Sequence, residues 1–117
     1  VAAVTKKDGV IASCYIDAVQ AKVAFDTTGT VTTDLTAPVL TKNQLGENYG
    51  MVAYGKAIAE WDVQAANYAA YVTGKTAEEV AGIAIGEDKK PVEGTDLRTT
   101  VTIKVADFQG LIAKAMK

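Results

Sequence analysis

Histidine is missing from this 117-residue sequence. Its absence removes the usual general base near neutral pH and the commonest metal ligand. Ser-His and Cys-His nucleophilic catalysis go with it. Cysteine occurs once, as Cys14, so neither an internal disulfide nor a multi-thiolate zinc site can be built. Cys14 stands in an alternating apolar pattern and reads as a small buried hydrophobe. No apolar run nears the ~20 residues of a membrane-spanning helix, and no leader pattern is present. No dinucleotide fingerprint or P-loop glycine pattern occurs. Basic clusters are lacking too. With a net charge of -2, the chain is a poor match for a phosphate backbone, and nucleic acid is not expected as a partner.

What is present is ordinary globular material: 49% apolar and 22% charged residues, enough for a core and against disorder. The length suits one domain over 1–117. The chain opens directly in an apolar, strand-like segment, and is expected to be one module of a longer protein. Val10–Val19 alternates with period two and follows Asp8-Gly9, a tight-turn pair, so Val1–Thr5 and this run are expected to form an antiparallel hairpin. Val23–Asp26 and Thr30–Thr33 flank Thr27-Thr28-Gly29 and predict a second hairpin.

Pro38 ends the β region. Thr41–Gly55, with Gly46, Gly50 and Gly55, reads as a loop or broken helix. Ile58, Trp61, Ala65, Tyr68 and Val72 then step by three and four along one helix face. Gly74 marks its end, and Thr76-Ala-Glu-Glu79 forms a capping box for a short helix with Val80 and Ile83 inward. Residues 84–94 are turn-rich. Val105, Phe108, Leu111, Ile112, Ala115 and Met116 give a C-terminal helix its apolar face, with Lys114 and Lys117 at its negative pole. The predicted class is α+β, an antiparallel sheet from N-terminal hairpins packed by two or three helices.

The segment able to carry chemistry is Gly94–Ile103, rich in hydroxyls and leading into the last helix. Thr102 is placed at that helix's first turn or just before it, where unpaired N–H groups favour a phosphate. Helix capping explains the same residues equally simply. Glu78-Glu79 and Glu87-Asp88 are sequence neighbours that do not converge, so they read as solvated surface. No catalytic set and no metal site is expected.

Asp96, Thr99, Thr100, Val101 and Thr102 together resemble the flavinylation motif of the FMN-binding domain family. That family includes a subunit of the sodium-translocating NADH:quinone oxidoreductase and the pheromone-type lipoproteins of Gram-positive bacteria. Its motif places Gly or Ser more often at the position of Thr100, and Ala at that of Val101. Lys42–Met51 resembles the glycine-rich loop of the lipoprotein branch. Glu60-Trp61, Tyr71–Thr76, Val80–Ile83 and Asp107-Phe108 follow in the matching order.

The resemblance implies an FMN-carrying electron-transfer domain of an exported flavoprotein, a carrier more than a catalyst. FMN would be esterified through its phosphate to Thr102 by a separate flavin transferase that uses FAD. Asp96 would serve recognition or metal-assisted chemistry by that enzyme, and Thr99 and Thr100 would hydrogen-bond the phosphate. Tyr49, Gly50 and Met51 would cover one face of the ring. Trp61 reads as core before flavin contact, and Lys42 as a solvated lysine. The implied setting is extracytoplasmic, anchored to the membrane through another part of the parent chain. Sister FMN-binding domains and membrane or extracellular redox partners are expected there. Two other readings stay open: a reversible FMN binder without the ester, and a non-flavin binding or structural module in which the threonines only cap.

Overall fold

A computed structural model describes residues 1–117. Strands β1 (Ala2–Lys7) and β2 (Val10–Ile16) form the expected antiparallel hairpin. Asp8 and Gly9 both take positive φ, 54° and 78°, as a two-residue turn with the twist of a hairpin requires. A register shift at Thr5/Lys6 bends the ribbon. Ile11 and Ile16 point into the core, whereas Tyr15 on the opposite face stays exposed.

The second predicted hairpin does not join a sheet. Only one bridge forms, Phe25 with Val31, and its tip is held by the Asp26 carboxylate, which accepts from Thr28 and Thr30 backbone N–H groups at 2.9 and 3.0 Å. Residues 19–40 are exposed throughout, apart from half-buried Thr33. The alternating pattern there has strand propensity but no core to lie on.

The glycine-rich stretch is a broken helix: α1 (Lys42–Leu45), a 3-10 turn (Gly46–Tyr49) and α2 (Met51–Gly55). Thr41 caps α1, its hydroxyl accepting from Gln44 N–H while the Gln44 side chain accepts from Thr41 N–H. That capping box is written in the sequence as Thr-x-x-Gln. Gly50 breaks the helix at φ 82°.

Helix α3 (Trp61–Val72) buries Trp61, Gln64, Ala65, Tyr68, Ala69 and Val72. Ile58 was expected on this face but precedes the helix and is exposed, because the chain turns at Glu60, the N-cap. Gly74 follows the helix at φ 89°, and α4 (Ala77–Ala81) starts from the expected Thr76 capping box. Its C-terminal carbonyls, Val80 and Ala81, receive the Gln109 amide at 2.8 and 3.0 Å.

Helix α5 (Ala106–Ala115) packs on β1 and α4, with Phe108 and Ile112 inward and Met116 buried just beyond it. Ala115 is exposed, against expectation, although it shares the stripe of Phe108 and Ile112; it is the last residue of the helix. Phe108 meets Trp61 edge-on at 5.8 Å and Tyr68 at 5.5 Å between ring centres. These aromatic contacts join α3 to α5 beneath the hairpin, in an α+β arrangement. No helix is long and apolar enough to cross a membrane.

Candidate functional site

Residues 96–105 connect a 3-10 turn (Leu97–Thr99) to α5, and two side chains of α3 hold them down. Gln64 is fully buried. Its Oε1 accepts from Thr102 N–H at 2.8 Å and from the Thr102 hydroxyl at 3.3 Å, while its Nε2 donates to Ala59 O at 2.9 Å. One turn on, Asn67 donates to Thr100 O at 3.2 Å. Leu97 and Val101 fill the core between these anchors.

Thr102 therefore lies against α3, not in the first turn of α5. Helix α5 begins at Ala106, and its N-cap position is Val105, so neither the expected helix-end phosphate cradle nor a Thr102 cap forms. Thr102 is half-buried, and its hydroxyl is turned toward the buried Gln64 Oε1. Asp96, Thr99 and Thr100 are exposed. The Thr99 hydroxyl donates to Asp96 O at 2.6 Å, a turn of its own. Val101 is fully buried, so its side chain acts through packing and reaches no ligand.

The segment's other end meets the glycine-rich stretch. Ile103 and Lys104 line a groove of about 540 Å³ with Tyr49, Met51, Trp61 and Phe108. That is the size range of small-molecule sites, with apolar walls and few polar groups. Asp17, Lys42, Lys104 and Asp107 supply those. Lys42 is not merely solvated: its ammonium stands 4.9 Å from the Tyr49 ring centre and 5.0 Å from that of Trp61. Trp61 is core, as expected, and also forms part of this wall. Gly50 is buried behind the wall and lines no part of the groove.

Ile103, the residue after Thr102, lines the groove, and Thr102 itself does not. The structure thus gathers Tyr49 and Met51 with Ile103 and Lys104, just past the motif. It leaves Asp96, Thr99, Thr100, Val101 and Thr102 outside the groove.

The wall is fixed by Glu60. Its carboxylate accepts from the Met51 and Val52 N–H groups, both at 3.0 Å, and so pins the start of α2 to the start of α3. The floor is fixed by Asp17. Burial pushes its carboxyl up, but donors from Asn43, Thr41, Ala18 and Tyr15 together outweigh this and hold it below the ordinary value.

Neither a family model, nor a curated protein, nor a solved structure matches this chain.

Three site residues lie outside the sequence reading. Gln64 is a polar residue in an amphipathic helix, and nothing local distinguishes it from a solvated one. Asn43 and Glu60 act across loop closures that only the folded chain defines. Glu60 itself occupies the N-cap position of α3, and its carboxylate serves the start of α2 instead.

Proposed function

We propose that this domain carries FMN, esterified through its phosphate to Thr102, and serves electron transfer in an exported flavoprotein. What supports this reading is a ligand-sized groove with apolar walls that begins at Ile103, the residue after Thr102. The residues present fit the group. Tyr49, Met51, Trp61 and Phe108 offer flat or soft apolar surface to a ring system. Lys42 and Lys104 offer positive charge to an anionic phosphate chain within the same groove, against the carboxylates of Asp17 and Asp107 that it also holds. When bound, the flavin would accept and release electrons, with the chain setting its access and potential.

In this reading Gln64 holds the backbone of Thr102, and the Thr102 hydroxyl, which donates to Gln64 Oε1 at 3.3 Å, must turn from it to bear the ester. Asp96, exposed and free of side-chain hydrogen bonds, is available to the flavin transferase.

The decisive experiment is the intact mass of the domain after co-expression with a flavin transferase. The wild-type chain should gain the mass of FMN less one water, and Thr102→Val should gain nothing while keeping its fold. Flavin on the Thr102→Val variant would move the site elsewhere. No gain on the wild type, with a transferase active on another acceptor, would reject the ester and leave reversible FMN binding to be tested by colour after native purification.

A further inference from the structure

A second cavity adjoins the groove at Tyr49. Its volume is about 310 Å³, and Gln20, Lys22, Lys42, Leu45, Asn48 and Tyr49 line it. Lys42 and Tyr49 also line the larger groove, so they form the partition between the two. One side of the cavity is the foot of the exposed 19–40 segment, which brings Gln20 and Lys22. The other is α1 with the 3-10 turn after it, which brings Lys42, Leu45, Asn48 and Tyr49. Two hydrogen bonds tie the sides together. Lys42 N–H donates to Ala18 O at 2.8 Å, and the Tyr49 hydroxyl donates to Gln20 Oε1 at 3.2 Å.

The larger groove sets Lys42 and Lys104 against Asp17 and Asp107, whereas this cavity holds Lys22 and Lys42 and no carboxylate. Neither lysine is neutralised elsewhere, since Arg98–Glu93 is the one ion pair of the chain. The cavity is thus a positive spot on a protein of net charge -2. Lys42 is held in place, its ammonium 4.9 and 5.0 Å from the Tyr49 and Trp61 ring centres. Ring faces attract that charge without supplying a counter-ion. Tyr49 takes the oxygen of the Gln20 amide, so both Nε2 hydrogens remain to be donated. The Asn48 side chain bonds nothing within the chain. Gln20, Lys22 and Asn48 are exposed, so their donors are open to a ligand from solvent.

That donor set selects its ligand. Two unpaired positive charges match a dianion better than a monoanion, and a phosphate monoester carries nearly two negative charges at neutral pH on acceptor oxygens. The cavity is larger than a phosphate group and reaches the lower size range of small-molecule sites. Leu45 and Tyr49 offer apolar surface to a short organic body. We infer that this cavity binds a small, soluble phosphate monoester. Its phosphate lies between Lys22 and Lys42, with the Gln20 and Asn48 amides as further donors. The bound ester bridges the foot of the 19–40 segment to the broken helix. The inference does not rest on the flavin reading, because Gln20, Lys22 and Asn48 lie outside the larger groove.

The test titrates the flavin-free, isotope-labelled chain with glycerol phosphate at constant ionic strength. The side-chain amide resonances of Gln20 and Asn48 and the backbone amide of Lys22 should shift and saturate at millimolar concentration. Dimethyl phosphate, a monoanion of the same group, should bind about threefold weaker or worse. Lys22→Gln should weaken glycerol phosphate by about fivefold, the upper range for an exposed charge pair, with the melting temperature unchanged. Lys7→Gln, an exposed lysine outside the cavity, removes the same net charge and should leave binding as it is. Four results would overturn the inference. They are no saturable shift at Gln20 and Asn48, equal affinity for dimethyl phosphate, an equal loss from Lys7→Gln, or binding to phosphatidic acid vesicles without a response to the soluble ester. The last would assign the cavity to a lipid surface that presents the same phosphate group.

Discussion

Gln64 and Asp17 are the two buried polar side chains, and each ties a loop to the core. Gln64 spends its acceptor on Thr102 and its donor on Ala59 O. Gln64→Leu preserves bulk but leaves Thr102 N–H and Ala59 C=O without partners. It should cost about 2–4 kcal/mol in a denaturant titration, the range for orphaned buried groups. Under the proposed function the same variant should also lower flavin occupancy by mass, with Thr102 itself intact. A change near zero would mean that water reaches both groups and that Gln64 does not position the motif.

Asp17 makes stability depend on pH. Its folded value lies below the unfolded one, so its contribution is present above about pH 4, the unfolded carboxyl range. It is lost as pH falls through the depressed folded value. Urea midpoints at pH 7 should therefore favour the wild type over Asp17→Asn, and the gap should close in the window from about pH 4 downward. A constant gap across that range would show that the ionised form is not what Asn43, Thr41 and Ala18 stabilise.

At the scale of elements, α2 is too short to persist alone, because a helix of one turn gains little against its nucleation cost. What holds it is Glu60, whose carboxylate fills two of its leading N–H groups. Glu60→Ala should cost about 1–2 kcal/mol, the range of a lost N-terminal cap. Exchange at Met51 and Val52 should rise far more than exchange in α5. If both helices respond alike, Glu60 supports the whole fold and not the groove wall.

Elements whose instructions are local were legible in the sequence: the Asp8-Gly9 hairpin, the Thr76 capping box and the Phe108–Ile112 stripe of α5. Elements set by tertiary partners were not. The 23–33 segment has the alternation of a hairpin, but no apolar surface meets it. Thr102 follows the pattern of a helix start, yet the chain stays irregular until Ala106, with the Thr102 N–H bound to Gln64 across the fold. The groove itself joins residues 17, 42, 61 and 103, a proximity that no local window contains.

The whole molecule is longer than its core requires. Its extents are 53 × 30 × 25 Å with a radius of gyration of 16.5 Å. A compact chain of this length has a radius of about 13 Å. Residues 19–40 supply the excess. They project Phe25, exposed by 72%, and Leu35, by 70%, and they bury almost nothing. Their two ends are already joined, since Lys42 N–H donates to Ala18 O at 2.8 Å and Tyr49 reaches Gln20 at 3.2 Å. Replacing residues 21–38 by Gly-Gly should therefore shorten a loop without opening the core. The expected change in unfolding free energy is within about 1 kcal/mol, since loop closure depends weakly on length and few contacts are lost. Small-angle scattering should bring the radius of gyration down toward about 13 Å. Binding of an apolar dye should fall with the removed side chains. A large loss of stability would instead place residues 21–38 against the core in solution, and with them a missing part of the sheet.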